Sequence, residues 1–67
     1  MYYIYEKLRD ERKLTDYRVS KDTGIPKSTI ASWRTGKSAP RLDNVMRLAN
    51  YFDVPLSVFI NGMIGNK

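Results

Sequence analysis

The chain contains no cysteine and no histidine. Disulfides and the usual zinc-ligand sets are therefore excluded, which leaves only scattered carboxylates as metal donors. A chain of 67 residues buries only about 60% of its unfolded surface, so its core is thin and must be held by apolar packing alone. Absence of cysteine also fits a reducing cytoplasm. Long hydrophobic runs are missing too: the longest near the start, Tyr2 to Tyr5, is far too short for a signal-peptide core or a spanning helix. Catalysis has little to work with. There is no imidazole or thiol, no Gly-rich phosphate loop, and no carboxylate pair at a persuasive spacing. The expectation is a soluble, cytoplasmic, non-enzymatic protein with no catalytic residue, no metal, no cofactor, no small-molecule ligand and no membrane contact.

What is present is positive charge, and its placement matters more than its size. The net charge is +5. Residues 1–24 hold six bases and five acids, and residues 42–67 hold two of each. Residues 25–41 hold Lys27, Arg34, Lys37 and Arg41 with no acid. A field concentrated in one 17-residue window favours a polyanion lying against one surface, and the alternative is an ordinary solvated basic face.

Glycine occurs only at 24, 36, 62 and 65, and proline only at 26, 40 and 55. Both punctuate segments of helical period, and no stretch alternates long enough for a strand. The pattern predicts five short helices in one domain over residues 1–60, followed by a short tail, 61–67. Helix one is expected from about Tyr3 to Arg12, with Ile4 and Leu8 on its inner face. Thr15 suits an N-cap for helix two, because its hydroxyl can accept an orphaned backbone N–H, and Gly24 suits the left-handed residue that ends it near Thr23. The third helix is expected from Lys27 to about Arg34, with Ile30 and Trp33 inward and Gly36 beyond its end. Helix four should turn Leu42, Val45, Leu48, Ala49 and Phe52 inward. A last helix, Leu56 to about Ile60, should bury Leu56 and Phe59.

Two short helices joined by a Gly-containing turn form a helix-turn-helix, here over Thr15 to Arg34. Val19 pins the first to the core, Ser20 is small enough for a close crossing, and Ile25, Ile30 and Trp33 anchor the second from beneath. Its outer face keeps Lys27, Ser28, Ala31, Ser32 and Thr35, with no bulky group to block approach. A major groove about 12 Å wide admits such a face.

The residues Leu14-Thr15, Val19-Ser20, Thr23-Gly24-Ile25, Ser28-Thr29-Ile30, Trp33 and Gly36-Lys37 stand in a distinctive register. It continues through Pro40, Leu42, Val45, Leu48-Ala49, Phe52-Asp53-Val54 and Leu56 to Phe59. This run resembles the Cro/CI-type helix-turn-helix family, the lambda-repressor-like (XRE-type) domains of phages and bacteria. The resemblance implies an all-α, compact five-helix fold and a sequence-specific transcriptional regulator, a phage- or prophage-type repressor, bound to double-stranded DNA in a bacterial or phage-infected cell. It places Lys27, Ser28 and Ser32 at base edges. Lys27 can donate to guanine O6 and N7, and Ala31 can touch a thymine methyl. It places Thr15, Lys37, Ser38, Arg41 and Asn44 on the DNA backbone, where contacts set register without reading sequence. The minor groove is an alternative for Arg41. Members usually act as twofold pairs on pseudo-palindromic operators, which implies a weak or DNA-induced homodimer.

Some positions depart from that pattern. Pro26 and Pro55 replace the Ser or Thr that commonly caps the third and fifth helices. Asp16 stands where Gln or Arg often reaches a phosphate. Arg34 replaces a frequent Glu, and a swapped pair with Glu6 or Asp10 is expected; unpaired, Arg34 would be free for a phosphate. Tyr2, Tyr3 and Tyr5 either pack at the edge of the core or form a protein contact. Tyr51, Ile60, Met63 and Ile64 either finish the core or form a dimer or partner surface. The tyrosines and Asp16 favour a rival function, a protein-interaction module binding an antagonist or partner repressor. The acid-free window weighs against it.

Overall fold

The computed structural model describes residues 1–64, with side-chain burial given for residues 1–60. Helix α1 spans Tyr2–Glu11, α2 Asp16–Thr23, α3 Lys27–Thr35, α4 Leu42–Phe52 and α5 Leu56–Ile64, with no strand among the described residues. The fold is all-α, as the periodicity indicates. Helices α1 and α3 depart from the expected boundaries by one residue, and α5 by four. Helix α1 closes at Glu11 because Lys13 takes a left-handed conformation (φ 55°) and the Leu14 N–H turns back to the Arg9 carbonyl at 3.0 Å. No glycine advertises that turn. Helix α5 continues to Ile64, beyond Ile60. Met63 and Ile64, as surface candidates, lie outside the residues whose side chains are described.

Among the described residues, ten form the buried core: Tyr5, Val19, Ile25, Ile30, Trp33, Val45, Leu48, Ala49, Phe52 and Phe59. Ile4, Leu8, Leu14 and Leu56 pack partly buried around it. Helix α1 therefore centres its inner face on Tyr5 rather than on Ile4 and Leu8. The Tyr5 ring meets Trp33 edge-on at 6.4 Å, a geometry that matches ring edge to ring face, and packs tilted against Phe52 at 6.1 Å. Tyr2 leans on Tyr5 at 5.5 Å, whereas Tyr3 points to solvent. The N-terminal tyrosines thus split among core, rim and surface.

Leu42 corrects the expected inner face of α4. It is 55% exposed, while Val45, Leu48, Ala49 and Phe52 are buried. The core begins one turn into this helix, so its first residue overhangs the packed region. At the other end α4 has no basic residue of its own in the last turn. Arg12, 40 positions earlier, supplies one: its guanidinium donates to the Phe52 carbonyl at 2.8 Å and lies over the Phe52 ring. A cation there offsets the partial negative charge of the helix C-terminus.

Gly24 ends α2 at φ 81°, and a Cβ built on it would meet nothing within 4 Å. The cost of a side chain there is backbone strain alone. Gly24→Ala is expected to destabilise the fold by about 1–2 kcal/mol, and Gly24→Asn by less, because asparagine tolerates the left-handed region. Thermal unfolding monitored by circular dichroism checks the order glycine, asparagine, alanine.

Candidate nucleic-acid interface

Local chemistry builds the α2–turn–α3 unit. The Thr15 hydroxyl accepts the Arg18 N–H at 3.1 Å and caps α2, as its residue type suggests. At the far end, the Thr23 hydroxyl donates to the Val19 carbonyl at 2.7 Å and accepts the Ile25 N–H at 3.2 Å. That hydroxyl bridges the helix end and the turn. Ile25 then plugs into the core with no exposed surface. Pro26 needs no N–H partner, and its carbonyl accepts from Thr29 at 3.0 Å and Ile30 at 3.2 Å to start α3.

Helix α3 buries Ile30 and Trp33 and leaves Lys27 and Ser28 exposed, with Ala31 and Ser32 half-buried. These four, singled out from the sequence as base contacts, come together on the side away from the core anchors. The Ser32 hydroxyl donates to the Ser28 carbonyl at 3.0 Å. With its proton engaged, the Ser32 oxygen is left as an acceptor. Gly36 (φ 79°) closes the helix, and the Lys37 N–H returns to the Ser32 carbonyl at 2.9 Å. Lys37 and Ser38 thereby project just past the end of α3, both exposed. Arg41 is the N-cap residue of α4, its side chain 85% exposed and only loosely paired with Asp43 at 4.0 Å. Thr15 is exposed at the start of α2, and Asn44 is half-buried in the first turn of α4.

The expected pairing of Arg34 with Glu6 or Asp10 is not formed. Arg34 pairs with Asp16 at 3.3 Å. Asp16 also accepts the Tyr5 hydroxyl at 2.6 Å and the Arg9 guanidinium at 2.8 Å, both on Oδ1. One carboxylate thus ties α1, α2 and α3 together, and Asp16 is a structural residue facing inward rather than a displaced phosphate contact. Spacing alone could not reveal this, because the partners lie seven, eleven and 18 positions away. Exposure separates the two arginines. Arg9 is largely covered, whereas Arg34 is half-exposed, and exposed pairs contribute little. The remaining Arg34 donors stay available to an anion.

Partial burial by itself would raise the Asp16 carboxyl. The hydrogen bonds from Tyr5 and Arg9, with the charges of Arg9 and Arg34, outweigh it and hold Asp16 below the usual carboxylate range. Burial, and then the hydrogen bond to Asp16, push the Tyr5 phenol well above its ordinary value.

Tyr51, a candidate partner residue from the sequence, is half-buried against Phe52, and its hydroxyl donates to Asp22 at 2.6 Å. Ile60 is half-buried near the middle of α5. Asp22, Thr23, Arg47, Asn50 and Tyr51 line a shallow depression of about 320 Å³. Among the described residues no group of three or more metal-ligating side chains occurs, and no helix is long and apolar enough to cross a membrane. One residue near the interface is not marked by the helix-turn-helix pattern: Tyr17, 61% exposed in the first turn of α2, has the Lys27 Nζ 6.0 Å from its ring centre. Its position two residues before buried Val19, hence on the outer side of α2, is the sequence signal that could have found it.

With this geometry in place, a family model described as helix-turn-helix matches residues 6–59. The chain belongs to the helix-turn-helix family. This agrees with the Cro/CI-type resemblance of its sequence. A curated relative, the cryptic phage CTXphi transcriptional repressor RstR of Vibrio cholerae, is 32% identical over 54 residues. The alignment covers 81% of this helix-turn-helix chain and 49% of the relative. The chain therefore spans about half the length of the curated protein it matches. No solved structure matches it.

Asp16 sets a pH dependence. Its folded pKa is depressed, so the stability it contributes is present above the unfolded carboxylate value, near pH ~3.9, and is lost as pH falls through the lower folded value. Asp16→Asn is expected to cost about 2 kcal/mol at neutral pH, with the gap to wild type narrowing below pH ~4. Urea unfolding between acid and neutral pH measures it.

Proposed function

We propose that this chain is a sequence-specific, double-stranded DNA-binding transcriptional regulator of phage-repressor type. It acts in the cytoplasm by occupying an operator with α3 in the major groove. The observation that carries this reading is the face of α3. Ile30 and Trp33 fix the helix from beneath, while Lys27 and Ser28 stand exposed beside half-buried Ala31 and Ser32.

Base readout falls to Lys27, through guanine O6 and N7, to Ser28 and Ser32 through their hydroxyls, and to Ala31 through a thymine methyl. Thr15, Lys37, Ser38, Arg41 and Asn44 hold the DNA backbone and set the register. Repression follows from exclusion of polymerase. Two copies on a pseudo-palindromic operator would place their α3 helices about 34 Å apart on one side of the duplex, as a weak or DNA-induced dimer. The relative's name, a phage transcriptional repressor, supports the same direction of regulation. The rival protein-interaction reading loses part of its footing, because the internal ion cluster accounts for Asp16.

Fluorescence anisotropy against random-sequence and candidate-operator duplexes, at several salt concentrations, tests the proposal. One duplex is expected to be preferred by about 1,000-fold or more. Lys27→Ala should flatten that preference. Lys37→Ala should weaken every duplex alike and reduce the salt slope by about one. Binding no tighter than ~0.1 mM to any duplex at low salt would reject the DNA reading.

A further inference from the structure

We propose that Tyr17 is a positioning residue for base recognition: its ring holds the Lys27 ammonium at the start of α3, and the pair, rather than the lysine alone, selects the base. The inference rests on the reading of Lys27 as a base contact. Tyr17 lies in the first turn of α2 and Lys27 opens α3, so the α2–α3 turn brings them together across ten positions. The separation of 6.0 Å between Nζ and ring centre is at the range where a cation is drawn to an aromatic face.

Among the described residues, neither side chain has another engagement. Tyr17 is among the most exposed large hydrophobic side chains, and Val19, on the opposite side of α2, makes the core contact. Among the described residues, the ion pairs leave Lys27 out and the hydrogen bonds leave the Tyr17 hydroxyl out. An exposed aromatic ring with a cation beside it serves no evident packing purpose.

The physical benefit is preorganisation. A free lysine is a strongly hydrated point charge on a flexible stem, which loses many rotamers when it docks and discriminates bases poorly. A ring on one side restricts its swing before DNA arrives, so less freedom is lost on binding and wrong bases meet a less adaptable donor. The ring also carries a hydroxyl that can reach a phosphate, and the test must separate these two uses.

The test combines the free protein with its DNA complex. In proton NMR of free wild type, the Lys27 ε-methylene should be shifted upfield by the Tyr17 ring. Tyr17→Phe should keep that shift and Tyr17→Leu should abolish it. Binding is then measured on the duplex that wild type selects from a randomised pool, and on its single-base-pair variants. Tyr17→Leu is expected to lower the preference at the base pair sensed by Lys27→Met by about two- to five-fold, the strength of an exposed cation–π contact. Tyr17→Phe should retain the preference, and Tyr17→Leu should add no further loss in the Lys27→Met background. Additive losses, no ring-current shift, or an equal, sequence-independent weakening by Phe and Leu would overturn the proposal, the last assigning Tyr17 to a phosphate. If Lys27→Met flattens the preference and Tyr17→Leu does not, the positioning role alone fails. If Lys27→Met leaves it intact, the base-contact reading falls as well.

Discussion

Asp16 stands in the first turn of α2 and receives donors from α1 and α3, so the relative placement of three helices converges on a single carboxylate. Beneath it, Tyr5 continues from its hydroxyl into a ring packed against Trp33 and Phe52. The polar clamp and the apolar core are therefore one structure, joined through one side chain. In a chain this small, with no disulfide or zinc site available, such a junction has unusual weight. Apolar packing sets how strongly the helices adhere. The charge-assisted hydrogen bonds, being directional, help set the angle at which they do so.

That constraint bears directly on the proposed DNA recognition. Helix α3 can present a small-residue face only if its opposite side is held rigidly, and Ile30, Trp33 and the Arg34–Asp16 contact all act on that opposite side. Arg34 contributes least of the three, being half-exposed. The flanking loop then follows without further design: Gly36 turns the chain, and Lys37 and Ser38 project at the end of the helix. Within the acid-free segment, Lys27 and Lys37 stay exposed and outside the ion pairs, whereas Arg34 meets Asp16 and Arg41 lies 4.0 Å from Asp43.

Much of this is legible in the order of residues alone. Thr15 and Gly24 announce the ends of α2, since a hydroxyl beside orphaned N–H groups and a residue free to adopt positive φ each meet a local need. The spacing of Ile30 and Trp33 identifies the buried side of α3, and with it the exposed one. Leu42 misleads because periodicity marks the angle around a helix axis and says nothing about where along that axis the core begins. Lys13 and Asp53 take left-handed conformations at helix ends without being glycine, so neither signals a stop. Arg12 capping α4, Asp16 gathering two arginines and a tyrosine, and Tyr17 standing beside Lys27 are hidden for one reason: each joins residues from different parts of the chain.

The sequence by itself determined the number of helices, the turn between α2 and α3, most of the core and the basic window, because these depend on residue type and on neighbours within about two helical turns. Tertiary structure decided what Asp16, Arg34, Arg12, Tyr5 and Tyr17 do. Long polar side chains reach several ångströms in many directions, and which partner they find depends on where other helices lie, a quantity that no local spacing contains.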